Sequence, residues 1–417
     1  MSQETPADVT VLGAGIIGIC CALNALEKGL TVQLIDRQPP GEATSYGNAG
    51  VISPWSIVPQ CTPGVWTNVP KWLLDPKGPV KLRWQDLPGI LPWVFRFLRN
   101  TTPERFQKIS DAMALLMQDN VDAYRRYLAG TGHEGLIVDA MTVIVYRGAA
   151  RPKVDDLQFC LRQERGGEVE FIGATDLHDL EPDLAPEYRA AALIKNQARA
   201  LDPGKICKVL AAKAEILGAN FKVTEVSAVR PDENGGITLH TDTGDLAVRK
   251  LILAGGIWSA GLLKPLGVSL PLIAERGYHL EFQDPGVTIN HSINDASAKV
   301  IVSSMQAGVR IAGTAEFADV DAPPNYARAR ALAPIAKRLF PALNTASPKE
   351  WMGIRPSFPD NLPAIGPVKG IPNIISAFGH SHYGLGMAPG TARLAVESML
   401  GTLNYEISAF SEQRFRS

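Results

Sequence analysis

The sequence predicts an α/β (α+β) chain of two domains. One is assembled from separated stretches around a parallel sheet, and the other is built mostly on antiparallel strands. Three observations carry that expectation. Residues 8–18 read as strand, glycine-rich turn and helix, and a second strand, 31–35, ends on Asp36. Two further apolar runs, 251–254 and 374–378, each stop at glycine, the first at Gly255-Gly256 and the second at Gly379. Between them, residues 277–282, 300–302 and 309–312 have the pattern of antiparallel strands of another sheet.

The first stretch organises the chain. Val9, Val11 and Leu12 form a short buried strand, and Gly13, Gly15 and Gly18 make the spacing G-x-G-x-x-G. Gly13 permits the tight turn, Gly15 lets a pyrophosphate approach the backbone, and Gly18 lets helix pack on strand. The helix then runs through Ile16 and Ile17 toward Gly29. Its N-terminus offers unpaired N–H groups and a partial positive charge. Asp36, eighteen residues past Gly18, stands where a carboxylate accepts hydrogen bonds from a ribose diol. The ligand of this Rossmann-like unit carries an ADP moiety, and the motif alone leaves both NAD and FAD open. Residues 38–50 are irregular and rich in small residues where an NAD-binding unit would continue into helix and strand. That favours FAD.

Bulk properties narrow the class. A 417-residue chain with 46% hydrophobic and 20% charged residues suits two or three soluble domains. A net charge of -1 gives no general electrostatic case for nucleic acid. Five cysteines without metal spacing point to free thiols in a reducing compartment. Residues 1–7 lack a signal-peptide pattern and no apolar run reaches ~18 residues, so the expected location is the cytoplasm. A peripheral position on the inner face of the membrane stays open.

Residues 51–100 hold five of the seven tryptophans, Trp55, Trp66, Trp72, Trp84 and Trp93. Prolines at 54, 59, 63, 70, 76, 79, 88 and 92 are expected to break any long helix there. The segment reads either as an apolar lid over the flavin side or as a membrane-interface patch. Residues 102–128 read as one amphipathic helix capped by Thr102. A strand at 142–146, a helix at 154–166, a helix at 207–217 and a strand at 221–226 follow. Residues 327–339 form a helix between prolines, and 389–400 a closing helix. The expected division is 1–60, 195–268 and 345–417 for the FAD-binding domain, and 61–194 and 269–344 for the substrate, or cap, domain.

Four clusters, Ser45-x-x-Asn48-Ala49-Gly50-Val51-Ile52-Ser53-Pro54, Ala254-Gly255-Gly256-Ile257-Trp258-Ser259, Gly353-Ile354-Arg355-Pro356 and Gly379-His380, occur in that order. Together they resemble the D-amino acid oxidase-like FAD-dependent oxidoreductases over nearly the whole chain, with the nearest look to bacterial D-amino acid dehydrogenases. The resemblance implies that Ser45, Asn48, Ala49, Gly50, Val51 and Ile52 lie along the flavin. It implies a backbone contact from Val226 to the adenine end, with Arg37 beside Asp36, and support from Gly255, Gly256 and Trp258 on the phosphate and ribose side. His382, Tyr383, Gly384, Leu385, Gly386 and Met387 would bracket the pyrimidine ring. Arg355 matches the position whose guanidinium holds a substrate carboxylate, and a planar, permanently charged fork suits that task. Tyr278 falls where relatives place a substrate-side tyrosine. Strand alternation lets only one of Tyr278 and His279 face the pocket.

The activity these features imply is FAD-dependent oxidation of a D-amino acid, or of a cyclic or N-alkyl relative such as D-proline or hydroxyproline. The expected partners are a small amino-acid substrate and a quinone or other electron acceptor. An oxygen-using glycine or sarcosine oxidase and a non-catalytic FAD-binding redox partner remain alternatives.

Overall fold

The strand Val9–Leu12 lies fully buried at the centre of a six-stranded sheet. In spatial order that sheet runs Ala364–Val368, Ile371–Phe378, Leu251–Leu253, Val9–Leu12, Val32–Asp36 and Asn220–Val223. The last five strands are parallel, and the first pairs antiparallel with its neighbour. This computed structural model describes residues 6–67, 80–82, 87–232, 235–404 and 406–415. Trp72, Trp84, Pro70, Pro76 and Pro79 of the aromatic segment lie outside them.

Both faces of the sheet are covered, which is why its strands read as continuous apolar runs. Val9, Val11, Leu34, Ile252 and Ile375 pack against helices, chiefly Ile16–Glu27, Gly384–Leu400, Pro203–Ile216 and Pro103–Met117. Leu12, Ile35, Leu251, Leu253 and Phe378 point the other way. They meet an antiparallel meander of Val226–Pro231, Ile237–Thr241 and Gly244–Val248. From Val9–Leu12 the chain leaves to one side for Val32–Asp36, and Leu251–Leu253 enters on the other. Such a switch point opens a crevice at the carboxyl ends of the strands.

Among the described residues a second sheet has eleven strands and is mostly antiparallel. Its long strand Ile273–Phe282 pairs with Lys349–Ser357 on one side and with Gly308–Ala312 and Ala315–Phe317 on the other. Two pairs are parallel: Ser292–Asp295 with Ile137–Arg147, and Ala315–Phe317 with Val80–Leu82. Together the two sheets give the mixed α/β, two-sheet architecture expected from the sequence.

Several element boundaries differ from expectation for local reasons. The helix expected at 102–128 is two helices, Pro103–Met117 and Asn120–Leu128, separated at Asp119, whose φ is 59°. The Cys207 helix begins at Pro203, because Asp202 accepts from Lys205 N at 2.9 Å and caps it. The run 221–226 splits between the two nucleotide-side sheets at Thr224, whose hydroxyl bonds to Asp242. Helix 154–166 contracts to Leu157–Glu164 behind its Asp156 cap, and 327–339 divides into Ala327–Arg330 and Ala333–Leu339. Contrary to the proline argument, Leu87–Arg99 is helical, with Pro88 in its first turn and Pro92 inside it.

The closing helix starts at Gly384 rather than 389 and runs through Pro389. Proline there removes the N–H that would serve Leu385 O. The Tyr124 hydroxyl donates to that oxygen instead, at 2.7 Å. Among the described residues no helix is long and apolar enough to cross a membrane.

Candidate active site

A cavity of about 1430 Å³ runs along the crevice and on toward the second sheet. It exceeds the ~300–1,000 Å³ of an ordinary small-molecule site, leaving room for an extended dinucleotide together with a small substrate.

Its first end is walled by backbone. Gly13 adopts φ 114°, and a Cβ there would overlap Ala254 O. At Gly18 a Cβ would meet Gly13 O, so this glycine lets the helix sit against the turn, as the sequence implied. Gly15 caps the helix without a side-chain bond, and a Cβ on it would point at Ser45 Oγ, 3.3 Å away. Ile16 N donates to that Oγ at 3.0 Å. Asp36 accepts from Ala14 N at 2.6 Å and from Gln38 N at 3.0 Å, which fixes its carboxylate at the cavity wall. Arg37 and Trp258 also line the cavity, and the Arg37 guanidinium lies 4.0 Å above the indole ring. The sequence placed these two on the same ligand, and the fold brings them into contact. Val226, Gly255 and Gly256 complete this end.

The middle wall is the loop carrying Ser45, Asn48 and Ala49. A buried pair pins it from behind. Arg310 bonds Glu281 at 2.6 Å and donates to Asn48 O at 2.6 Å and Tyr46 O at 3.2 Å. The Trp351 ring lies over Gly47 and Gly353, where any Cβ would overlap it, and stacks on His279 at 4.8 Å.

The second end is ionic. Arg355 lines the cavity, and a Cβ on Gly277 would collide with its guanidinium. Among the described residues its hydrogen bonds both use Nη1, to Glu275 Oε1 at 3.1 Å and to Thr314 O at 3.1 Å. Among the described residues, Nη2 and Nε have no protein partner. Glu275 Oε2 accepts from Ser357 Oγ at 2.9 Å, and Oε1 also takes His382 Nε2 at 2.9 Å. His382 Nδ1 faces the Gln60 amide at 2.5 Å. Burial alone would raise the Glu275 carboxyl, but His382, Arg355 and Ser357 together hold it down to about 2. The imidazole of His382 is itself lowered, first by burial and then by Arg355, against the pull of Glu275. Arg355 is the permanent cation of the cluster. The N-terminus of the closing helix, Tyr383 to Leu385, borders the same space.

Some expected residues stand elsewhere. Gly18, Gly50, Val51, Ile52, Gly386 and Met387 do not line the cavity. Ile52 and Met387 belong to the apolar core, a Cβ on Gly50 would press on Ala200 O, and one on Gly386 would press on Met117 Sδ. Tyr278 is corrected outright. It is buried in the second core, donates to Glu316 Oε2 at 2.5 Å and accepts from Asn325 N at 3.0 Å. Alternation along Ile273–Phe282 sends Glu275 to the cavity and Tyr278 to the core, while His279, on the Glu275 face, is buried against Trp351 and does not line the cavity. His380, also at the cavity wall, is tied to Thr391 Oγ1 at 2.9 Å, and burial lowers it to about 3.

Sequence reasoning missed Glu275, Glu281, Arg310 and Gln60. The signal for the first two was present: two acids an even number of residues apart in an apolar strand, sharing a face with Gly277 and His279.

Comparison with known proteins fits this architecture. The family profile described as DAO, FAD dependent oxidoreductase, matches residues 8–398. A D-amino-acid oxidase of Bradyrhizobium diazoefficiens is 35% identical over 416 residues, covering 98% of both chains. A D-amino acid dehydrogenase of Rhodopseudomonas palustris is 31% identical over 433 residues, again 98% of each. So the expected leaning toward dehydrogenases is not distinguished from oxidases. Among solved structures, L-proline dehydrogenase from P. horikoshii superposes with a TM-score of 0.76 at 18% identity, covering 99% of this chain and 98% of that one. At that identity the likeness shows the fold alone. Backbone cradle, acid-tipped second strand and matched length together identify the chain as a member of the DAO family of FAD-dependent oxidoreductases, with FAD as its cofactor.

Proposed function

We propose that the protein oxidises the Cα–N bond of an amino acid, either a D-amino acid or a cyclic or N-alkyl relative such as D-proline or hydroxyproline. The electrons then pass to a quinone or another carrier. The observation that carries this reading is Arg355: it lines the cavity with Nη1 braced by Glu275 and Thr314 O, and its Nη2 and Nε have no protein partner among the described residues. A substrate carboxylate fits that fork. FAD, when bound, supplies the hydride acceptor, and the chain supplies position, desolvation and charge.

In this reading Gly13, Gly15, Ile16 and Ile17 hold the pyrophosphate, and Asp36, Arg37, Val226 and Trp258 the adenosine. Gly255 and Gly256 admit it closely. Ser45, Asn48, Ala49 and residues 382–385 border the ring. The helix N-terminus at Gly384, with no acidic residue in its first turn, favours negative charge there. Residues 1–60, 195–268 and 345–417 form the FAD-binding domain, although helices 103–128 share its apolar core and are better grouped with it.

The test is an anaerobic screen of D- and cyclic amino acids, watched by flavin bleaching. Bleaching by amino acids but not by the corresponding hydroxy acids supports the reading, and bleaching by none overturns it. The 35% identity to a D-amino-acid oxidase favours a second reading, direct use of oxygen. Peroxide yield against dye reduction separates the two. Supporting a membrane-borne acceptor, Trp66 and Leu91 line the cavity and are exposed, and Phe95, on the same helix as Leu91, is 66% exposed.

A further inference from the structure

We propose that Glu275 sets the charge a ligand must carry: by neutralising Arg355 it admits zwitterionic amino acids and turns away carboxylates that bring no ammonium. The inference rests on the amino-acid reading above and adds a specificity-determining residue to it.

The pair is built into the sheet. Glu275 and Arg355 stand opposite one another in the register of their two strands, and Glu275 Oε1 lies 3.1 Å from Arg355 Nη1. The carboxylate side chain is 2% exposed and the guanidinium side chain 17%. Ser357 Oγ holds the other carboxylate oxygen at 2.9 Å, so the acid is fixed at both ends. The two charges form a neutral unit on the cavity wall. Nη2 and Nε belong to the same rigid plane as Nη1. A ligand carboxylate seated on them therefore comes within about 8 Å of the Glu275 carboxylate, oxygen to oxygen, at ordinary hydrogen-bond lengths.

The selection follows from counting charges. One guanidinium then serves two carboxylates, and the site holds one negative charge in excess. At roughly 8 Å in a half-buried site, that repulsion shifts an equilibrium by about tenfold or more. An α-amino acid offsets it. A single carbon separates its carboxylate from its ammonium, so the ammonium feels Glu275 from a similar distance with the opposite sign. No contact between the two is required. A 2-hydroxy acid or a simple carboxylate brings no such charge.

The other charged side chains on the cavity wall do not replace Glu275 in this role. Asp36, Arg37 and Glu225 stand at the opposite end, around Val226, and Lys299 is exposed, where water screens it. His382 Nε2 also touches Oε1, at 2.9 Å, but burial, with Arg355 nearby, holds its imidazole below the ordinary 6.5. Well above that pH it adds no cation.

The test uses the FAD-loaded protein at pH 8.5 and two ligands: 2-aminoisobutyrate, a zwitterion with no Cα–H to lose, and isobutyrate, its counterpart without the ammonium. Calorimetry gives both dissociation constants. The native protein should favour 2-aminoisobutyrate by about tenfold or more. Glu275→Gln should lose that preference, and Glu275→Asp, which keeps the charge, should retain it even where both ligands bind more weakly. Both ligands use the same carboxylate, so a mere loss of Arg355 alignment weakens them together and leaves the ratio alone. An unchanged ratio in Glu275→Gln, or a native protein with no preference for 2-aminoisobutyrate, overturns the assignment. The second outcome needs only native protein and stands even if the variants fail to fold. If no amino acid bleaches the native enzyme, the amino-acid reading itself falls. If amino acids are turned over and only the ratio is wrong, Glu275 alone is excluded.

Discussion

At the Gly13 end of the cavity the wall is mostly main chain: N–H groups of one turn, carbonyls of its neighbours, and Gly13 with no room for a Cβ. At the Arg355 end the wall is side chain: a buried carboxylate shared by a guanidinium, an imidazole and a hydroxyl. A main-chain cradle is indifferent to pH and fails through sterics. An ionic cluster tolerates some change of shape but fails when one charge is removed, because its partner is left buried and uncompensated. The two ends should therefore break in different ways.

The largest effect is expected at the cradle. Gly13→Val combines a forbidden φ with overlap on Ala254 O, and should cost about 3 kcal/mol or more, lowering the unfolding midpoint along with FAD content. A Cβ at Gly15 meets only Ser45 Oγ, so Gly15→Val should fold with a midpoint close to that of the FAD-free native protein yet purify colourless. A yellow Gly15→Val protein would discredit the phosphate assignment.

Next comes the ionic end. Glu275→Gln should destabilise the native protein by about 2–3 kcal/mol at pH 7, below the full cost of a broken buried pair because Arg355 is partly exposed. Its pH dependence has a definite sign. The folded carboxyl sits at about 2 against an ordinary 4.5, so its stabilisation is complete above pH 4.5 and is lost as pH falls toward 2. Midpoints measured at pH 6 and pH 3 should differ less in Glu275→Gln than in the native protein.

Arg355→Ala should weaken carboxylate substrates by about 1.5–3 kcal/mol in kcat/KM, with FAD retained. Unchanged kinetics would remove Arg355 from the site. Smallest is Tyr124→Phe, which leaves Leu385 O without its donor and should lower stability by about 1–2 kcal/mol while leaving the flavin spectrum unchanged.

Asymmetry between the ends also explains what could be read in advance. Gly13, Gly15 and Asp36 act through backbone geometry and a strand end within one short stretch of chain, so spacing alone locates them. Gln60, Glu275, Arg355 and His382 come from four distant segments. The resemblance named Arg355, for a carboxylate, and His382, for the pyrimidine ring, but nothing in the spacing brought them together with Glu275 and Gln60. Tyr278 failed for a related reason. Alternation put Tyr278 and His279 on opposite faces, but neither lines the cavity: helices near Ala333–Leu339 cover the Tyr278 face, and Trp351 covers His279.

By itself the amino-acid sequence determined the parallel sheet, its glycine turn and acidic tip, and the mixed two-sheet class. Those depend on interactions between residues close in the chain or repeated at a fixed period. Tertiary structure alone decided the direction of each sheet's faces, the pinning of the 44–49 loop by Arg310, and the sharing of Glu275 between Arg355 and His382. Their energies arise between strands far apart in the chain, where burial and register, not local pattern, select the partners.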